Sequence, residues 1–225
     1  MNIIRLDSMV EKVLADLHEE MLNDVPRDTS KPHVTELIYC LTKSYLARKF
    51  PMAPTKQETL LFASGLGLEA VMLKQFKRAE VLEVDGILLS LDFFPFDNMI
   101  GEFKSTRISS GPTKEGGPLE ERILDTGHWR GQIMAYMYAA KVTSTVLIVL
   151  HLMGDYRPPF PDLTCWRVDA EQGELDAYWQ YLLGRKGVLV NALDEGVAPT
   201  PFKYNEDWEC KTPCRFRLLC GSGAV

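Results

Sequence analysis

Asp85 stands where one strand-like run ends and the next begins, in Glu83-Val84-Asp85-Gly86-Ile87, and Glu102-Phe103-Lys104 follows, flanked by Ile100, Gly101 and Ser105. Side chains on a strand repeat every second residue, so Glu102 and Lys104 share a face. Two carboxylates and a lysine can thus converge at one sheet edge. Oxygen ligands of this type suit the hard cations Mg²⁺ and Mn²⁺. Such an ion polarises a phosphodiester oxygen and activates water, while a lysine orients or deprotonates that water and neutralises developing charge. Glu-x-Lys by itself is common by chance, so the reading depends on what accompanies it.

Three further groups do. His128, Gln132 and Tyr136 recur at the spacing of one helix face, which lets a Gln and a Tyr reach a metal-bound water, the lysine and a phosphate. Gly65-Leu66-Gly67-Leu68-Glu69 lies inside a helical stretch, where glycines cost stability unless a close approach needs them, and Glu69 offers one more carboxylate. Cys210, Cys214 and Cys220 form a compact loop suited to thiolate ligation, with Cys40 as the candidate fourth ligand of a tetrahedral zinc or an iron–sulfur cluster. Cys165, in Leu163-Thr164-Cys165-Trp166, reads instead as a small buried hydrophobe.

The elements that must position these residues follow from periodicity. Ser8 to Glu11 reads as a capping box for a first helix through Met21, with a Pro- and Asp-bearing break from Asn23 to Pro32. Helices are predicted over Val34–Phe50 and Lys56–Arg78, then strands over Val81–Val84, Ile87–Leu91 and Met99–Ser105, with a turn-rich Asp92–Asn98 between the last two. A loop over 106–120 lies near the substrate. A helix over Glu121–Lys141, strands over Thr145–Met153 and Leu163–Val168, and a long helix over Ala170–Glu195 precede the cysteine-bearing coil. This order predicts an α/β sandwich around a mixed sheet.

The chain has 225 residues, enough for one large domain, and is 46% hydrophobic, which supplies a buried core. It shows neither an apolar run of bilayer length nor a secretory h-region, and the five cysteines are an odd count, so a reducing cytoplasmic setting is the expectation. A net charge of −6 argues mildly against nucleic acid but leaves room for local basic clusters. Three stand out: Lys43, Arg48 and Lys49; Lys74, Lys77 and Arg78; and Lys211, Arg215 and Arg217.

Taken in order, Cys40, Asp85, Glu102, Lys104, Gln132, Tyr136, Cys210, Cys214 and Cys220 resemble the RecB-type nucleases with an iron–sulfur staple, which include the CRISPR-associated nuclease Cas-four and the AddB nuclease domain. The resemblance runs from about residue 34 to 220. It departs in two places: Gly65-x3-Glu69 carries Glu where the family has His, and the C-terminal run begins Cys-x3-Cys rather than Cys-x2-Cys. The resemblance implies a restriction-endonuclease-like core over about 55–195, of PD-(D/E)XK type, with 34–50 and 205–220 forming a small cluster-binding part. It implies Glu69, Asp85, Glu102 and the Phe103 carbonyl as metal ligands, Lys104, Gln132 and Tyr136 as catalytic supports, and a four-iron cluster on Cys40, Cys210, Cys214 and Cys220. The function it implies is Mg²⁺- or Mn²⁺-dependent DNA cleavage, exonucleolytic on single strands, and in the Cas-four branch the trimming of new spacers alongside a CRISPR integrase acting in trans. The alternatives are a stand-alone or phage recombination exonuclease and a catalytically inactive cluster-bearing DNA-binding module.

Overall fold

The computed structural model describes residues 30–96, 99–111, 118–124, 127–153, 160–200 and 214–221, together with parts of 11–19. The first predicted helix falls largely outside these residues, as do Cys210 and the middle of the 106–120 loop.

Five strands form one mixed sheet in the order β1-β4-β5-β6-β7: β1 (Lys77–Arg78), β4 (Phe93–Phe96), β5 (Met99–Thr106), β6 (Ser144–His151) and β7 (Asp162–Asp169). The central pair β5–β6 is parallel and its neighbours are antiparallel. A parallel pair needs a crossover, supplied here by α4 (Leu119–Leu124) and α5 (Gly127–Ala140). β2 (Val81–Val84) and β3 (Ile87–Ser90) form a separate hairpin.

The two faces of the sheet bury different layers. Ile100, Leu147 and Val149 face the main core with Ile133 and Tyr136 of α5 and with Leu175, Trp179 and Leu182 of α6 (Gln172–Glu195). On the other face Phe93 and Phe103 meet Leu68, Met72 and Leu73 at the end of α3 (Lys56–Met72). Thr55 caps α3 with a reciprocal capping box to Glu58. Gly101 is required by this packing, because a Cβ there would fall 2.3 Å from the Phe93 ring. Gly65 and Gly67 differ: nothing lies within 4 Å of where their Cβ would be, so no close approach explains them.

Several element boundaries move. The predicted Val34–Phe50 helix is two, α1 (Val34–Ile38) and α2 (Leu41–Lys49). Arg185 of α6, buried in the core, donates to the carbonyls of Leu37 and Tyr39 and so holds the break open. The third helix stops at Met72, and Lys77–Arg78 turn into the edge strand β1. The turn-rich Asp92–Asn98 contains β4, whose register shifts between Phe93 and Phe96. No helix among the described residues is long and apolar enough to cross a membrane.

Candidate active site

β5 sets the site. Its register on β6, Glu102 opposite Leu147 and Lys104 opposite Val149, puts both polar side chains on the face covered by α5. Glu102 is 2% exposed. A carboxylate so deep is costly unless compensated. Its compensation comes from the Lys104 ammonium, in ion-pair contact, and from the neighbouring Asp92 carboxyl; neither Glu102 oxygen meets a hydrogen-bond donor in good geometry. From α5, Gln132 Oε1 accepts from Lys104 Nζ at 2.9 Å, and Gln132 Nε2 donates to the Tyr136 hydroxyl at 2.8 Å. The helical spacing of 132 and 136 thus becomes one hydrogen-bonded line from the lysine inward.

The second carboxylate is Asp92, which the sequence reading passed over. Its Oδ2 accepts from the Phe103 amide at 2.8 Å, at the entrance to β4. Burial, with the Glu102 charge adding to it, pushes the Asp92 carboxyl up to about 8. Burial likewise raises Glu102, against the pull of Lys104. For Lys104, burial works to lower its ammonium, but Glu102 and then Asp92 outweigh that and hold it above the usual lysine range. Tyr136 is pushed well above the ordinary tyrosine value by burial and then by Glu102. Both carboxyls thus resist ionisation, with desolvation the leading cause for each.

Asp85 is not in this group. It forms the tip of the β2–β3 hairpin in a left-handed conformation (φ 50), accepts from Trp179 Nε1 at 2.8 Å, and its carbonyl accepts from Lys186 Nζ at 2.5 Å. The carboxyl that adjoins Glu102 is that of Asp92, while the Asp85 side chain is engaged by Trp179. The missed signal was a single acid inside the apolar run Ile87 to Phe96, a placement that is expensive without a partner. Phe103 buries its side chain between Phe93 and Leu73, and its amide serves Asp92.

Glu69, on α3, is close enough for its charge to raise both Asp92 and Glu102, yet its carboxylate pairs with Arg78. Among the described residues no three His, Cys, Asp or Glu side chains stand together as a set able to hold a metal ion. The donor chemistry nevertheless fits a hard cation: Asp92 and Glu102 are adjacent carboxyls, both Glu102 oxygens lack a hydrogen-bond donor, and Glu69 lies within electrostatic range. His128, first in the predicted stripe, packs its ring on Tyr39 at 4.4 Å.

The cysteines are only partly visible. Cys40 stands at the N-cap position of α2 without a side-chain capping bond, Cys214 and Cys220 pack half-buried on the main core, and Cys210 lies outside the described residues. Cys165 is exposed on the edge strand β7, which corrects its reading as a buried hydrophobe.

The sequence matches no protein-family profile and no curated protein. Among solved structures, the chain is similar to the crystal structure of SSO0001, at 18% identity and a TM-score of 0.55 over 94% of this chain and 96% of the other. It is also similar to a phage-related exonuclease from Haemophilus somnus 129PT (13% identity, TM-score 0.48, 74% of this chain and 96% of that one). A third is the alkaline exonuclease LHK-Exo from Laribacter hongkongensis (11% identity, TM-score 0.48, 80% and 95%). The likeness to SSO0001 is one of fold, and it spans nearly the whole of both chains.

Proposed function

We propose that this protein is a divalent-metal-dependent deoxyribonuclease of PD-(D/E)XK type, with a restriction-endonuclease-like core, acting on single-stranded DNA. The observation that carries the reading is the buried Glu102 beside the half-buried Asp92, with Lys104 on the same strand as Glu102, its ammonium held between Glu102 and Gln132. Asp92 and Glu102 would hold a Mg²⁺ or Mn²⁺ ion, with Asp92 standing where the resemblance has Asp85 and with Glu69 and the Phe103 carbonyl as the further ligands it implies. When bound, such an ion supplies Lewis-acid polarisation of a phosphoryl oxygen and acidifies water. Lys104 stays protonated beside two carboxyls, so its role is to orient the attacking water and to stabilise negative charge on the phosphate. Gln132 fixes the lysine, and Tyr136 fixes Gln132.

The same reading includes an iron–sulfur cluster, of four irons, on Cys40, Cys210, Cys214 and Cys220. Two contacts favour it by bringing the chain ends together: Thr42 Oγ1 donates to the Pro199 carbonyl at 2.8 Å, and Arg215 Nη1 to that of Met52 at 2.5 Å. A role in spacer trimming beside a CRISPR integrase belongs to the resemblance and draws on no residue of the site.

Labelled single-stranded and duplex DNA incubated with Mg²⁺, Mn²⁺ or EDTA tests the activity. Cleavage should require the metal, favour single strands, and fall about 10²–10³-fold in Glu102→Ala and Lys104→Ala, the usual cost of an electrostatic transition-state contact. Undiminished cleavage by both variants overturns the site. Iron and visible absorbance in anaerobically purified protein test the cluster; stoichiometric zinc without iron removes it and leaves the nuclease reading intact.

A further inference from the structure

The three basic clusters have different fates in the fold. Arg48 is committed to a two-pronged pair with Glu36, at 2.7 and 2.8 Å. Arg215 binds the Met52 carbonyl and reaches Glu58 at 3.5 Å. In the middle cluster Lys77 stands over the Phe94 ring at 5.7 Å, while the Arg78 guanidinium, half exposed on edge strand β1, pairs with Glu69. Arg78 is thus a basic side chain joined directly to the candidate site. β1 pairs with β4 so that Arg78 lies opposite Phe93, the residue after Asp92.

The pairing has a cost for the site. Glu69 is the third carboxylate in electrostatic range of Asp92 and Glu102, but its oxygen is turned to Arg78, and the three are not gathered as a ligand set. Arginine keeps its charge at any working pH, so only another cation can take Glu69 from it.

The geometry points to Arg78 as a phosphate-positioning residue whose availability is set by occupancy at Glu69. Without metal, the guanidinium is held by Glu69. A divalent cation that claims Glu69 releases the guanidinium fork, which sits beside exposed Lys74 and Lys77 and matches a phosphate in two-pronged fashion. Metal and DNA then bind with positive coupling, each raising the affinity for the other by the same factor. This rests on the reading of the site as a metal-dependent DNA nuclease.

A double-mutant cycle on binding tests it without turnover. A fluorescent single-stranded oligonucleotide is titrated in EDTA against wild type, Arg78→Ala, Glu69→Gln and the double variant, at several salt concentrations. In wild type, Arg78→Ala should change affinity less than about twofold, because the arginine is already engaged. In Glu69→Gln the arginine is free, so the same change should cost roughly tenfold. It should also reduce the salt slope by about 0.7, the value for one single-strand phosphate contact. Arg78→Lys in the Glu69→Gln background should keep that slope and lose part of the affinity. Equal penalties in the two backgrounds overturn the role of Arg78. If those equal penalties accompany metal-dependent cleavage, the nuclease reading survives; if no variant binds DNA under any condition, both fall.

Discussion

Asp85 and Asp92 flank the same short strand, β3, and live in different surroundings. Asp85 is exposed at a hairpin tip, where its side chain ties Trp179 and its carbonyl ties Lys186, so it joins the hairpin to α6. Asp92 is half-buried at the start of β4 beside Glu102, with Lys104 near, and desolvation holds its carboxyl up to about 8. The same side chain is a fastening in one place and, in the proposed site, a metal ligand in the other. Enclosure beside a second carboxyl makes the difference, while position along the chain and proximity to a turn do not.

The strongest way to break this contrast is to exchange the outcomes of two substitutions. Asp92→Asn should abolish cleavage, by about 10³-fold or more, and leave the fold intact. Asp85→Ala should leave the rate per folded molecule unchanged and lower stability by about 1–3 kcal/mol, because the buried Trp179 N–H loses its acceptor. Single-turnover cleavage and denaturant melts on both variants check this pair. A dead Asp85→Ala with an active Asp92→Asn would reverse the assignment.

A pH titration of metal-free stability sharpens it next. Asp92 has a folded value of about 8 against an ordinary 3.8, so between those values the folded state holds more protons than the unfolded. Stability must therefore fall as pH rises from about 4 to 8. Asp92→Asn should flatten this slope, and Asp85→Asn should leave it in place. Saturating Mg²⁺ should oppose the fall, since the ion binds the ionised carboxylates.

Smaller effects belong to the line behind Lys104. Tyr136→Phe removes the hydroxyl that accepts from Gln132 and should slow cleavage about tenfold, while Gln132→Leu, which frees the lysine, should cost more. Measuring kcat and KM separately checks that the loss lies in kcat. The smallest change is Cys165→Ser, which is exposed on β7 and should alter neither activity nor iron content, whereas Cys40→Ser should reduce iron and stability.

Periodicity explains what the sequence revealed and what it hid. Glu102 and Lys104 were legible because a two-residue repeat leaves no other option on a strand, and Gln132 and Tyr136 because a helix stacks fourth neighbours. Asp92 was hidden by its company: Pro95, Asp97 and Asn98 signal a turn, and tertiary pairing with β5 overrode that signal in Phe93–Phe96. The break at Tyr39 and Cys40 was hidden too, since the partner that holds it is Arg185, far along the chain. Local pattern carries no information about a carbonyl satisfied from α6. Glu69 was legible as a carboxylate, but its present partner Arg78 was assigned to a helix that ends before reaching it.

Gly101 has a bearing on how genetic screens of this protein would read. It has no side chain to bind or react, yet any side chain placed there must push against the Phe93 ring. Phe93 directly follows Asp92 in the chain, and Gly101 directly precedes Glu102, so the displacement passes to both carboxyls at once. In a library scored by survival or cleavage, position 101 would tolerate nothing and would be scored alongside the acids themselves. Only a binding or folding readout taken in parallel would reveal it as the spacer that keeps the two carboxyls in register.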